Sequence, residues 1–158
     1  MDQQNLERML VVLTDGLALR PRDAFQRVRL GEVYQQLGRM ADAQTAFRRA
    51  VKDEPDYAPG HAALGAFLVE QGEWAEAEAC LREAIRLKPD LVAPYLTLAQ
   101  EYTRQKEYAQ ASEAYATALK LKPDMVALLR GAAEVALKSR RLEDAAQFLT
   151  LARAQTPD

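Results

Sequence analysis

The chain has 158 residues, with 21 Lys or Arg against 23 Asp or Glu, so its formal net charge at pH 7 is −2. A chain of this length typically forms one domain. Its balanced charge gives none of the basic surface through which proteins bind nucleic acid or anionic membranes. No apolar stretch approaches the ~20 residues needed to cross a bilayer, so we expect no nucleic-acid partner and no membrane insertion.

The cysteine content and the N-terminus bear on the compartment. Cys80 is the sole cysteine, which excludes an internal disulfide framework and suits a reducing environment. The first ten residues, MDQQNLERML, carry no basic flank before their apolar positions, so a signal peptide is not expected. These features predict a cytoplasmic protein.

The first predicted element is a helix without a partner helix, over residues 1–23. Five apolar side chains recur in it at helical spacing, and Pro21 closes the segment. Those side chains are Leu6, Met9, Leu10, Leu13 and Leu17.

The rest of the chain predicts four similar segments, each with two amphipathic helices, over residues 24–57, 58–91, 92–125 and 126–158. Prolines fall at 21, 55, 89, 123 and 157, so the period is 34 residues. Proline ends a helix because it lacks an amide donor and disfavours helix in the preceding residue. Gly38 and Gly72 indicate the turn between the two helices, since glycine tolerates positive φ. Lys106 and Arg140 occupy the same position in the last two segments.

Small residues recur where the helices of a segment should cross. Helices packed about 8–10 Å apart approach most closely where Ala or Gly faces the partner helix. The first helices supply Gly31, Gly65, Ala99 and Ala133, and the second helices supply Ala43, Ala77, Ala111 and Ala145. Phe47, Leu81, Tyr115 and Leu149 are expected to fill the adjoining gaps.

A 34-residue period with two helices per period and these recurring positions resembles the tetratricopeptide repeat. The resemblance covers nearly the whole chain. It implies an all-α fold, a right-handed α-solenoid of stacked helix-turn-helix repeats that forms a single domain over residues 1–158.

The sequence offers no catalytic, cofactor-binding or metal-binding site. His61 is the only histidine, so no pair of ligands is available for a metal ion. Cys80 shares its repeat position with Ala46 and Ala114, which indicates a small core side chain. The acidic run Glu73, Glu76 and Glu78 is best interpreted as a solvated helix face. We therefore expect no cofactor and no enzymatic activity.

The resemblance implies that the first helices line a concave groove that holds a peptide or helix of a partner protein. The predicted groove residues are Phe25, Val28, Glu32, Ala62, Ala66, Val69, Leu96, Gln100, Arg104, Arg130 and Lys138. Family members that clamp acidic chaperone tails do so with Lys, Asn and Arg at fixed positions. Here those positions hold Val28, Glu32, Ala63, Ala93 and Thr97, which disfavours that ligand class. An apolar peptide anchored on Phe25, Val28, Val69 and Leu96 is the alternative.

The main hypothesis is a non-enzymatic protein–protein interaction scaffold. A second hypothesis is a regulatory or substrate-recruiting segment of a larger enzyme, for example a transferase, because the chain begins within one repeat period and ends where another would begin. A third is a structural array whose end faces drive self-assembly.

The helix over residues 1–23 also predicts self-association. Its apolar side chains at Leu6, Met9, Leu10, Val11 and Leu13 would be left uncovered without a preceding helix. A second copy, another protein or further sequence could cover them. We favour a symmetric homodimer, because a two-fold contact lets one patch cover itself; the competing expectation is a monomer.

Overall fold

The computed structural model describes residues 3–155, in which nine α-helices and no strand occur. In chain order the helices are α1 (Gln3–Leu19), α2 (Ala24–Gln36), α3 (Met40–Asp53), α4 (Ala58–Gln71), α5 (Trp74–Leu87), α6 (Val92–Arg104), α7 (Tyr108–Leu121), α8 (Val126–Lys138) and α9 (Leu142–Ala154). Each predicted segment from residue 24 onward contains one helix pair, and α1 is the unpaired helix. The all-α prediction is confirmed.

The described helices fall into two compact units that divide after Pro89. Unit 1 contains α1–α5, and unit 2 contains α6–α9. The assignment of residues 1–158 to one domain stays a prediction, and Pro157 lies outside the described residues.

In unit 1, α2 packs against both α3 and α4, and α4 packs against α5. The core between them is built from small residues on one helix facing large residues on the next. A Cβ placed on Gly31 would lie 2.7 Å from the Phe47 ring, and one on Gly65 would lie 2.7 Å from Leu81 Cγ. The Phe47 ring also contacts the next helix pair, because its centroid lies 5.4 Å from that of Phe67 on α4. The predicted close crossings are therefore present.

In unit 2, α6 packs against α7, α7 against α8 and α8 against α9, with a further contact between α6 and α8. Ala99, Ala111, Ala133 and Ala145 are all buried at the expected crossings. The packing of unit 1 is thus repeated with alanine where unit 1 has Gly31 and Gly65.

All four turns within the helix pairs share one backbone geometry. A residue in the left-handed region ends each first helix: Gly38 (φ 73°), Gly72 (φ 79°), Lys106 (φ 64°) and Arg140 (φ 58°). In each turn the next amide donates to a carbonyl five residues earlier, as Arg39 does to Tyr34 (2.8 Å) and Glu107 does to Tyr102 (2.8 Å). This is the bond of a Schellman helix end. Lys106 and Arg140 keep the turn although they lack the conformational freedom of glycine.

The structure corrects the expectation for α1. Leu6 is buried, and Leu10 and Leu13 are partly buried against the core cluster of Leu17, Leu30 and Ala46. The cause is that α1 lies on α2 and turns these side chains toward it. Val11 is 58% exposed, whereas Met9 is partly buried.

The last helix also departs from expectation. Leu149 was expected to fill a gap as Phe47 does, but its side chain is 48% exposed. Phe47 is covered by the helix that follows its own pair, whereas no helix follows α9 within residues 3–155. Leu142 is exposed at the same end of the unit.

Candidate functional site

His61 and Cys80, the sole histidine and cysteine of the chain, both have contacts within the protein. His61 is buried, and its Nε2 lies 2.7 Å from the Pro55 carbonyl oxygen. Cys80 packs partly against the core of unit 1, and burial raises the pKa of its thiol. Among the described residues, no group of three or more His, Cys, Asp or Glu side chains is placed to hold a metal ion.

In the acidic run at the start of α5, Glu73 and Glu76 are exposed, as the sequence indicates, whereas Glu78 is partly buried. Arg48 on α3 lies 2.8 Å from Glu76 and 3.7 Å from Glu73, and all three side chains are about half exposed. These contacts connect neighbouring helices at the surface. No helix in residues 3–155 has the length and apolar character of a membrane span.

The predicted groove residues of unit 1 differ in accessibility. Phe25, in the first turn of α2, is 60% exposed, and Ala62, Ala66 and Val69 on α4 are partly exposed. All four side chains are therefore accessible to a ligand, and one of them is a large aromatic ring.

Val28 is wrong as a peptide anchor. Its side chain is only 7% exposed and belongs to the core cluster that contains Ala24, Phe47 and Leu64. The α2–α3–α4 packing covers it, so a ligand cannot reach it without opening the core.

Polar contacts cross the same region of unit 1. Gln35 Nε2 on α2 donates to Glu70 Oε2 on α4 at 2.5 Å. Glu32 accepts from Arg29 on its own helix at 2.9 Å. Glu32, the predicted polar position of unit 1, is therefore engaged with a neighbouring side chain.

Some of the predicted groove residues of unit 2 line a cavity of about 620 Å³. It is lined by Gln100, Thr103, Arg104, Tyr115, Ala127, Arg130, Gly131 and Glu134. Three of these, Gln100, Arg104 and Arg130, are predicted site residues. Lys138 is exposed but does not line the cavity, and Leu96 is partly buried.

Arg104, which lines this cavity, is bound by a buried carboxylate that the sequence analysis did not identify. Glu101 is 4% exposed and accepts hydrogen bonds from Arg104 Nε (2.8 Å), from Arg104 Nη2 (2.5 Å) and from Gln105 Nε2 (2.7 Å). The hydrogen bonds from Arg104 are the main cause that lowers the pKa of Glu101, against the opposing effect of burial. Glu101 therefore fixes the orientation of the largely exposed Arg104 guanidinium.

The floor of the cavity also contains a group that sequence reasoning placed only in the core. Tyr115 is buried, and the Thr103 side chain lowers the pKa of its hydroxyl against the effect of burial. A Cβ on Gly131 would lie 2.3 Å from the Tyr115 hydroxyl oxygen, so the tyrosine reaches the cavity only because residue 131 has no side chain. Burial is the main cause that raises the pKa of Tyr115, and the Glu134 carboxylate adds to it.

The sequence did contain signals for both features. Glu101 stands one period from Phe67 and Val135, and two from Val33, all of which are buried apolar residues. Gly131 stands one period after Thr97 and two after Ala63. A charge or a glycine that breaks such a series marks a local change in packing.

Comparison with known proteins agrees with this architecture. The family model described as tetratricopeptide repeat matches residues 28–92 and 96–158. No curated protein matches the chain in sequence. The chain is similar to the structure titled as a functional characterization of Pseudomonas aeruginosa PilF, with 25% identity, a TM-score of 0.90, and coverage of 98% of this chain and 71% of that one.

Two further solved structures share the fold. MamA has 20% identity and a TM-score of 0.80, over 92% of this chain and 85% of its own. YrrB, which is described as a TPR protein with an unusual peptide-binding site, has 20% identity and a TM-score of 0.74, over 98% of this chain and 80% of its own. With the family model matched over most of the sequence, this chain belongs to the tetratricopeptide repeat family.

Proposed function

We propose that this protein is a non-enzymatic scaffold that binds a peptide or helix of a partner protein on the groove side of its repeats. The observation that carries the proposal is the cavity of unit 2, because it brings together three residues that the repeat pattern assigned to the groove. Core positions of the same helices, such as Leu98 and Leu128, are buried instead.

Three further observations support a binding role. Phe25 presents a largely exposed aromatic ring, and large aromatic side chains provide much of the binding energy in protein interfaces. Ala62 and Ala66 leave space beside the groove side of α4. YrrB, which shares the fold, is described as having a peptide-binding site.

The proposal assigns no chemistry to the chain itself. His61 is bonded to the backbone and Cys80 has a raised thiol pKa, which disfavours the reactive thiolate. A cytoplasmic location remains part of the proposal, and so does self-association through the exposed side of α1.

A displayed library of random peptides, selected on the immobilised full chain, tests the proposal. We expect peptides to be enriched and their binding to be lost in Ala127→Arg, because Ala127 is exposed and lines the cavity of unit 2, which the new side chain would occupy. Ala79→Arg is the matched control, since Ala79 is exposed on α5; it should bind as the wild type does. Equal loss in both variants, or no effect of Ala127→Arg, would move the binding site away from this cavity.

A further inference from the structure

The cavity of unit 2 contains two charged side chains that remain without a partner among residues 3–155. Arg130 and Glu134 line it, and neither forms an ion pair or hydrogen bond with a described residue. They stand four residues apart on α8, a spacing at which opposite charges can pair, but no ion pair joins them. Both charged groups therefore remain available to a ligand.

Hydrogen-bond donors outnumber acceptors around this cavity. Arg130 contributes a whole guanidinium, and Gln100 contributes an amide. Arg104 uses its Nε and Nη2 to bind Glu101, which leaves its Nη1 free to donate and keeps the planar group fixed. Against these donors, Glu134 is the sole unpaired carboxylate that lines the cavity among the described residues.

We propose that this cavity receives an acidic side chain of the bound partner, with Arg130 as the main contact and Arg104 as a guanidinium positioned by Glu101. Guanidinium and carboxylate form paired, charge-assisted hydrogen bonds that are stronger than neutral ones. The assignment rests on the proposed function, because it names the chemistry that the groove of unit 2 selects. It differs from the acidic-tail clamp weighed above, whose positions here hold Val28, Glu32, Ala63, Ala93 and Thr97.

Glu134 reduces the affinity of the cavity for an acidic ligand. Its carboxylate repels an acidic ligand. The cavity therefore binds an acid only if attraction by Arg130 and Arg104 exceeds the repulsion by Glu134. Removing the Glu134 charge must therefore strengthen the binding of an acid. General damage to the fold has the opposite effect, since it weakens binding.

The test is a titration of the ¹⁵N-labelled full chain with a triglutamate peptide whose termini are blocked, at low salt. Blocked triglutamine and trilysine serve as comparison probes. We expect triglutamate to shift amide signals within residues 100–134, and triglutamine and trilysine to leave them unchanged. Arg130→Gln should raise the Kd about tenfold or more, whereas Glu134→Gln should lower it. Lys122→Gln removes an exposed charge outside the cavity and should leave the Kd close to the wild-type value.

Four results would overturn the inference: no triglutamate binding, triglutamate shifts that lie outside residues 100–134, an Arg130→Gln effect no larger than that of Lys122→Gln, or trilysine binding that is lost in Glu134→Gln. Circular dichroism of each variant establishes that the helices are intact. A peptide selection that succeeds while triglutamate fails would leave the scaffold function standing and remove only this inference.

Discussion

At the scale of single residues, Glu101 shows how one polar side chain can replace an apolar one in a repeated core. The equivalent positions hold Val33, Phe67 and Val135, all buried. Glu101 is tolerated there because Arg104, at the end of the same helix, and Gln105, which follows it, donate hydrogen bonds to both carboxylate oxygens. Such a pair costs desolvation energy, so it stabilises a fold less than good apolar packing.

This reasoning predicts the outcome of Glu101→Val. At pH 7 we expect the free energy of unfolding to stay within about 1 kcal/mol of the wild type or to increase, because the freed Arg104 is largely exposed and returns to solvent. Urea unfolding measures this change. The matched control is Glu113→Val, which alters an exposed glutamate of α7 and should have little effect. A loss above about 3 kcal/mol, the cost of leaving a buried charge unpaired, would contradict the interpretation.

The same carboxylate predicts a pH dependence. Its pKa is lowered in the folded protein, so the unfolded chain binds more protons as the pH falls, and the folded state loses stability. The contribution of Glu101 is present above the unfolded pKa of about 4.3 and is lost as the pH falls through the folded pKa. We therefore expect stability to fall less steeply in acid for Glu101→Val than for the wild type. Parallel acid profiles of the two proteins would contradict this.

Gly131 and Tyr115 form a second residue-scale pair, and they should be energetically coupled. Gly131→Ala places a Cβ 2.3 Å from the tyrosine ring and hydroxyl, so we expect a loss of roughly 1–3 kcal/mol from overpacking. Tyr115→Leu should rescue it, because leucine lacks the ring end and hydroxyl that the new Cβ would meet, and leucine already stands one period earlier, at Leu81. Thermal unfolding of both single variants and the double variant gives the coupling energy; additive losses would contradict the contact.

At the scale of elements, the four turns show what determines a helix end. The Schellman bonds recur in all of them whether the left-handed residue is glycine, lysine or arginine. A side chain at positive φ costs roughly 1–2 kcal/mol, and the packed helices on either side impose that geometry. Lys106 and Arg140 therefore hold local strain.

This strain predicts that Lys106→Gly stabilises unit 2. We expect a gain of up to about 1 kcal/mol, since relief at φ 64° exceeds the greater entropy that glycine adds to the unfolded chain. The matched control is Ser139→Gly, at the equivalent position of the last turn. Its φ is −89°, so glycine there should destabilise by about 0.5–1 kcal/mol. Differential scanning calorimetry on both variants checks the opposite signs, and an equal loss in both would contradict the strain.

The repeat period predicted elements far better than it predicted exposure. Helix positions follow from the prolines and the turn residues, which act locally through φ and the missing amide. Exposure depends on neighbours in space: Val28 lies in a groove position, yet α3 and α4 cover it. Leu149 lies in a core position but has no following helix among residues 3–155. The position of a residue in the repeat therefore does not determine how exposed its side chain is.

At the scale of the whole molecule, the exposed side of α1 is the surface that the proposed self-association would use. Val11 and Val12 are largely exposed, while Leu6 is buried. The surface available for self-association is therefore smaller than the sequence implied, and it centres on the two valines. Leu10 and Leu13 pack partly against the core, so substitutions there would test the stability of α1 rather than association.

The sharper test of the proposed homodimer is Val11→Glu with Val12→Glu. Burying a valine-sized side chain gains roughly 1.5–3 kcal/mol, and two charges in a two-fold contact would repel their copies. Glutamate favours helix more than valine does, so α1 should stay folded while association is lost. Sedimentation over a range of concentrations should show a dimer for the wild type and a monomer for the variant. Leu137→Glu, which charges an exposed leucine on α8, should still dimerise, and a wild type that stays monomeric at high concentration would end the dimer hypothesis.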